Sequence, residues 1–152
     1  MTAIRKSDRY QRIYEQLETL LTKSADPDAR MATIVALLHY KIENFYWTGF
    51  YLLKGGELTV KTYQGPLACQ VLPKHTGVCW SAIDQHHTVI VADVLKFKGH
   101  IACDPHSKSE IVVPLRDPDG EVIGVLDIDS DHLNNFDETD AAWLEKIVGL
   151  IW

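Results

Sequence analysis

The strongest constraint on how this chain can fold lies between two apolar stretches, Ile111–Arg116 and Glu121–Ile128. They are separated by Asp117-Pro118-Asp119-Gly120, in which proline presets one turn dihedral, aspartate caps its own backbone and glycine tolerates positive φ. Two extended segments joined this tightly pair antiparallel. A similar arrangement occurs earlier in the chain. Tyr46 to Leu53 alternates, with Trp47, Gly49 and Tyr51 on one face and Phe50 and Leu52 on the other. Gly55-Gly56 then turns the chain into Glu57–Tyr63. Gln64-Gly65-Pro66 ends that strand, Leu67–Leu72 is a short extended piece carrying Cys69, and Thr88–Val91 is a further strand.

Helical spacing frames these strands. Asp8–Leu21 places Tyr10, Ile13, Tyr14, Leu17, Leu20 and Leu21 on one stripe, with Ser7 as its expected cap. Ala29–Ile42 follows, with Pro27 suited to a first turn and apolar residues most of the way round, so this helix is expected to be well buried. Gly77–Ile83 reads as a turn entering a short helix, with Cys79 near its start. Asp137-Glu138-Thr139-Asp140 opens a last helix with Trp143, Leu144, Ile147, Val148 and Ile151 inward. Hairpins flanked by helices, without a repeat or linker, specify an α+β domain with a mainly antiparallel sheet. It is expected to span 1–152, as a helical segment 1–43, sheet and active-site loops 44–130 and a C-terminal helix 137–152.

At 152 residues the chain can bury a full core, and its net charge of −6 argues against general nucleic-acid binding. It contains no apolar run of membrane-spanning length, and its first residues lack a signal peptide's apolar core. A cytoplasmic location is therefore expected. In that compartment three cysteines, Cys69, Cys79 and Cys103, point to reactive or metal-binding thiols rather than a disulfide framework.

Chemistry concentrates around Gly99–Leu115. Cys103 sits in a turn-rich loop between His100 and His106, and the loop runs into a strand beginning beside Glu110. On the strand Gly124–Asp129, Asp127 and Asp129 share a face about 7 Å apart, opposite Leu126 and Ile128. Like charges within an apolar strand call for a cationic or hydrogen-bonding partner, unless the two aspartates simply cap a turn. Trp47 and Tyr51 also share a face, and are either core or an aromatic wall. Together with the carboxylates they would enclose a small zwitterion. The rival reading of the cysteines is a zinc site using His100, Cys103, His106, Cys69 and Cys79. Neither C-x-x-C nor H-x-x-x-H spacing is present to support it. His86 and His87 read as solvated, and His39 as a hydrogen-bonded core residue.

These residues also form a familiar series: W-T-G-F-Y at Trp47–Tyr51, Q-G-P-L-A-C at Gln64–Cys69 and G-V-C at Gly77–Cys79. G-H-I-A-C-D at Gly99–Asp104, S-E-I-V-V-P-L at Ser109–Leu115 and G-V-L-D-I-D-S at Gly124–Ser130 continue it. The chain resembles the free methionine-(R)-sulfoxide reductases, single-domain enzymes of the GAF fold. The resemblance implies that Cys103 attacks the sulfoxide, that Cys69 resolves the resulting sulfenic acid as a disulfide, and that Cys79 is the third cysteine, able to join in recycling. It implies an aromatic wall of Trp47 and Tyr51 and substrate-binding carboxylates at Glu110, Asp127 and Asp129. No metal or organic cofactor is implied; a thioredoxin-like reductant and a homodimer are. One departure is Trp80, directly after Cys79, where the family usually has glycine; His75-Thr76 replaces a glycine-rich turn ahead of Gly77. The competing expectations are a GAF-type small-molecule sensor without catalysis and a zinc-stabilised structural protein.

Overall fold

The computed structural model describes residues 2–100 and 103–152. Ile101 and Ala102, within the Gly99–Asp104 motif, lie outside the described residues. The described chain runs α1 (Ala3–Leu20), α2 (Pro27–Lys41), β1 (Trp47–Lys54), β2 (Glu57–Gln64), β3 (Val71–Leu72), α3 (Gly77–Gln85), β4 (Val89–Val91), β5 (Ser109–Arg116), β6 (Val122–Ser130) and α4 (Glu138–Val148). The strands form one sheet in the order β3-β2-β1-β6-β5-β4, with every neighbouring pair antiparallel. This is the expected α+β architecture.

Both anticipated hairpins form. Gly55 and Gly56 take φ of 59° and 80°, the positive pair that a tight two-residue hairpin turn requires. At the β5–β6 turn the Asp117 carboxylate accepts from the Asp119 and Glu121 amides at 2.9 and 3.0 Å. The sheet has two unlike faces. Phe50, Ile111, Val113, Leu115, Leu126 and Ile128 pack under α1, α2 and α4, and every one of these side chains is buried. The opposite face carries Trp47, Tyr51, Leu58, Val112 and Val125 against α3 and its flanking loops.

Local differences from the sequence expectation have physical causes. α1 starts at Ala3, capped by Thr2, rather than at Asp8 with Ser7 as cap. Its first turn is solvent-facing, with Ile4 76 % exposed, so no apolar period marks it. Ser7 lies inside the helix, and its hydroxyl accepts from the Trp143 indole N–H at 3.2 Å. α2 is capped by Asp26 and starts on Pro27 as anticipated. It buries a single stripe, Met31, Ile34, Val35 and Leu38, while Tyr40 is 82 % exposed, so it is less enclosed than its composition suggested. Only Val71–Leu72 of the expected Leu67–Leu72 strand pairs in the sheet.

The terminal helices are tied together through one buried carboxylate. Asp140 accepts from the Tyr10 hydroxyl and from Lys6 Nζ, each at 2.6 Å. It also closes a capping box with Asp137 at the start of α4. Replacing Asp140 with Ala strands the buried Tyr10 hydroxyl and leaves Lys6 with only Asp137 and the Asn135 carbonyl, and should cost about 2 kcal/mol. Tyr10→Phe removes one partner and should cost about 1 kcal/mol. Urea denaturation of the two variants checks both values and their order.

Candidate active site

Strand register assembles the site. Across β1, β6 and β5, Trp47 lies opposite Asp129, which lies opposite Glu110; the next row of the same face is Gly49, Asp127, Val112. Period-two alternation points both rows at the α3 face. Asp127 and Glu110 are buried, at 6 % and 5 % exposure, and Asp129 is half-buried. Asp127 is well inside β6, so it is not a turn cap. The Trp47 ring stacks on Tyr51 at 5.8 Å and on Tyr63 at 5.2 Å between centroids. Gly49 makes this possible, because a Cβ there would stand 2.5 Å from the indole and 2.5 Å from the Tyr63 Cβ.

The cysteines occupy three different settings. Cys69 and Cys103 form a disulfide with α-carbons 5.7 Å apart; Cys103 is exposed and Cys69 half-buried. Cys79 is a free thiol, 4 % exposed, in the first turn of α3. Two polar contacts hold the bridged loops. The Tyr51 hydroxyl donates to the Cys69 carbonyl at 2.9 Å. Asp104, next to Cys103, accepts from the His106 amide at 2.7 Å and from the Tyr46 hydroxyl at 3.3 Å. The Trp80 indole is buried and donates to the Leu72 carbonyl at 3.1 Å, which pins α3 to β3.

Burial dominates the electrostatics. It pushes the acidity constants of Glu110, Asp127 and Asp129 upward. The Asp127 charge adds to the rise at Glu110 and Asp129. The group titrates as a unit and retains protons above the usual carboxylate range. The Cys79 thiol is raised well up for the same reasons, burial first and the Asp127 charge next, so it stays protonated. His100 is lowered by burial, which Asp127 partly opposes. Asp104 is lowered by the His106 amide bond.

Trp47, Tyr51, Cys79, Cys103, Glu110, Asp127 and Asp129 all line one cavity of about 60 Å³, which the bridge to Cys69 therefore borders at Cys103. Room for a few waters is the scale of that space. The Trp47 indole N–H is buried without a hydrogen-bond partner among the described residues, while the Asp127 side chain shares hydrogen bonds with Glu110 and Cys79. His100, Asp104 and Ser107 line the cavity too. The sequence marks His100 beside Cys103 and as a member of the rival zinc set, while nothing in the spacing of Asp104 or Ser107 singles them out. The rival zinc set is not assembled: Cys103 is bridged, and exposed His106 pairs with Asp104 at 3.1 Å. His39 bonds Thr48 Oγ1 at 3.0 Å, and His86 and His87 are exposed, both as expected.

Comparison with known proteins agrees with this geometry. The GAF domain family model matches residues 24–152. GAF domain-containing protein A of Dictyostelium discoideum is 47 % identical over 147 residues, covering 96 % of this chain and 92 % of that protein. The free methionine-R-sulfoxide reductase of Escherichia coli is 36 % identical over 143 residues, covering 94 % and 86 %. The X-ray structure of free methionine-R-sulfoxide reductase from Neisseria meningitidis in complex with its substrate superposes with a TM-score of 0.91 at 42 % identity, covering 96 % of this chain and 87 % of that one. The chain thus belongs to the GAF-domain family, in the group that contains the free methionine-R-sulfoxide reductases.

Proposed function

We propose that this chain reduces free L-methionine-(R)-sulfoxide to L-methionine. The observation that carries the reading is the Cys69–Cys103 bridge at a cavity lined by Cys103, the Trp47 and Tyr51 rings and the carboxyl groups of Glu110, Asp127 and Asp129. A zwitterionic sulfoxide offers an oxygen to a protonated carboxyl and an ammonium to an ionised one. The names of the similar proteins support the same substrate.

The Cys103 thiolate attacks the sulfoxide sulfur while a protonated member of the Glu110, Asp127 and Asp129 group protonates the departing oxygen. Methionine leaves, and Cys103 becomes a sulfenic acid. The Cys69 thiol displaces its hydroxyl as water, forming the bridge. An external dithiol of the thioredoxin type then takes up the oxidation, regenerating both thiols. Cys79 has no part in resolution, because it is fixed in a helix and kept protonated. Trp47 and Tyr51 wall the substrate's methyl and sulfur. The carboxylates read the α-ammonium, a charge that a peptide-bound residue lacks. The cytoplasmic location stays an expectation from the sequence and the homodimer one from the family resemblance; among the described residues no helix is long and apolar enough to cross a membrane.

NADPH-coupled turnover with thioredoxin should consume the R sulfoxide and leave the S epimer. Cys103→Ser should reduce turnover to background with folding intact; substantial remaining activity would move the nucleophile elsewhere and favour a different reading, such as a non-catalytic sensor.

Tyr51→Phe removes the hydroxyl that holds the Cys69 loop. Losing about 1 kcal/mol of anchoring should slow bridge formation several-fold. The methionine burst should be unchanged in a single turnover without reductant, read by non-reducing peptide mapping.

Asp127→Asn should weaken substrate binding yet stabilise the fold at neutral pH. A carboxyl raised on folding contributes stability below its unfolded value and loses it as pH rises through the folded one. The variant's advantage in melting temperature should therefore grow from acid to neutral pH. An advantage that shrinks over that range would contradict the assigned shift.

A further inference from the structure

We infer that Tyr63, which stands outside the active-site cavity, is a positioning residue for substrate: its ring fixes the tilt of the Trp47 indole that walls the cavity. The two rings stack with centroids 5.2 Å and planes 22° apart. Trp47 and Tyr51 are among the described residues that line the cavity, and Tyr63 is not. The contact crosses between strands, because Tyr63 of β2 pairs with Gly49 of β1. Two glycines make room for the indole. A Cβ at Gly49 would stand 2.5 Å from Cη2 of Trp47, and one at Gly65 would stand 3.1 Å from its Cδ1. The indole is thus bedded on backbone at both ends, with the Tyr63 ring stacked on it.

The other tryptophans show why Trp47 needs this support. The indole N–H groups of Trp80, Trp143 and Trp152 donate to the Leu72 carbonyl, the Ser7 hydroxyl and the Arg116 carbonyl at 3.1, 3.2 and 2.6 Å. Trp47 Nε1 has no partner among the described residues, although the residue is only 5 % exposed. No hydrogen bond sets its rotation, so its orientation depends on packing. Two tyrosine rings supply that packing, and they are not equivalent. Tyr51 borders the cavity, and its hydroxyl is committed to the Cys69 carbonyl. Tyr63 is half-buried and outside the cavity, so its effect on substrate passes through the indole. An indole wall touches the substrate's methyl and sulfur in the ground state and the transition state alike. Loosening it weakens both, which raises KM and leaves kcat in place. That consequence rests on the function proposed above; the support of Trp47 by Tyr63 does not.

The test compares Tyr63→Leu, which removes the ring, with Tyr63→Phe, which keeps it. Indole N–H exchange into D₂O is followed by NMR on protein labelled with ¹⁵N-tryptophan, and Trp47→Phe identifies the Trp47 signal among the four. In Tyr63→Leu the Trp47 N–H should exchange roughly three- to tenfold faster, the value of one aromatic pair, while Trp80, Trp143 and Trp152 keep their rates. In the same variant KM for the R sulfoxide should rise roughly three- to tenfold with kcat changed less than about twofold. Tyr63→Phe should match the parent in both measurements. Tyr63→Ile, which keeps strand propensity, replaces the Leu variant if that does not fold. Unchanged Trp47 exchange, faster exchange at all four indoles, an unaltered KM, or failure of Tyr63→Phe to restore parental values would overturn the positioning role. A parent protein that leaves the R sulfoxide untouched would instead overturn the proposed function, and the exchange rates would still decide whether Tyr63 holds the indole.

Discussion

The pairing of β1 with β6 is the constraint on which the rest of this molecule depends. It is a non-local contact, and no hairpin turn sets its register. What sets it is the helix-facing side, where Phe50, Leu126 and Ile128 are fully buried beneath the terminal helices. A one-residue slip would exchange the faces, driving Asp127 and Asp129 into that core and Leu126 into the cavity. Apolar packing on one face thus holds the polar groups of the other where their own interactions would not. The fold carries its register on the side that does no chemistry.

The opposite face bears the cost of that arrangement. Three carboxyl groups and a thiol stand close together with little solvent; burial raises all four, the Asp127 charge raises its neighbours further, and hydrogen bonds from Glu110 and Cys79 hold Asp127 lower than burial alone would. Such a cluster lowers stability at neutral pH and keeps carboxyl protons above the usual carboxylate range in the cavity that Cys103 also lines. The cysteines divide along the same line. Cys69 and Cys103 sit on loops, held through the Tyr51–Cys69 and Tyr46–Asp104 contacts, where a bridge can open and close. Cys79 is built into a helix whose position Trp80 secures, and it remains apart from the bridge.

Much of this was legible in the residues alone. Turn chemistry at Gly55-Gly56 and Asp117–Gly120 defined two hairpins, because a tight turn is a local property. Period-two alternation placed Trp47 with Tyr51, and Asp127 with Asp129, on common faces, and both assignments agree with the structure. The motif series around the three cysteines pointed to the family before any contact was known. Where the chain lacked apolar contrast, as in the exposed first turn of α1, its boundary could not be read.

Period two tells which residues share a strand's face but not which strand lies alongside, so Glu110 opposite Asp129 and the cavity itself had to come from tertiary pairing. The same holds for Tyr51 reaching the Cys69 carbonyl and Trp80 the Leu72 carbonyl, each a side chain meeting backbone that sequence spacing cannot locate. Sequence by itself determined most of the elements and which residues share a strand's face, because dihedral preference and alternation act over a few neighbouring residues. Only the tertiary structure decided which of those groups meet, which thiol stays free and how strongly the carboxylates oppose one another, because these depend on long-range register and on exclusion of water.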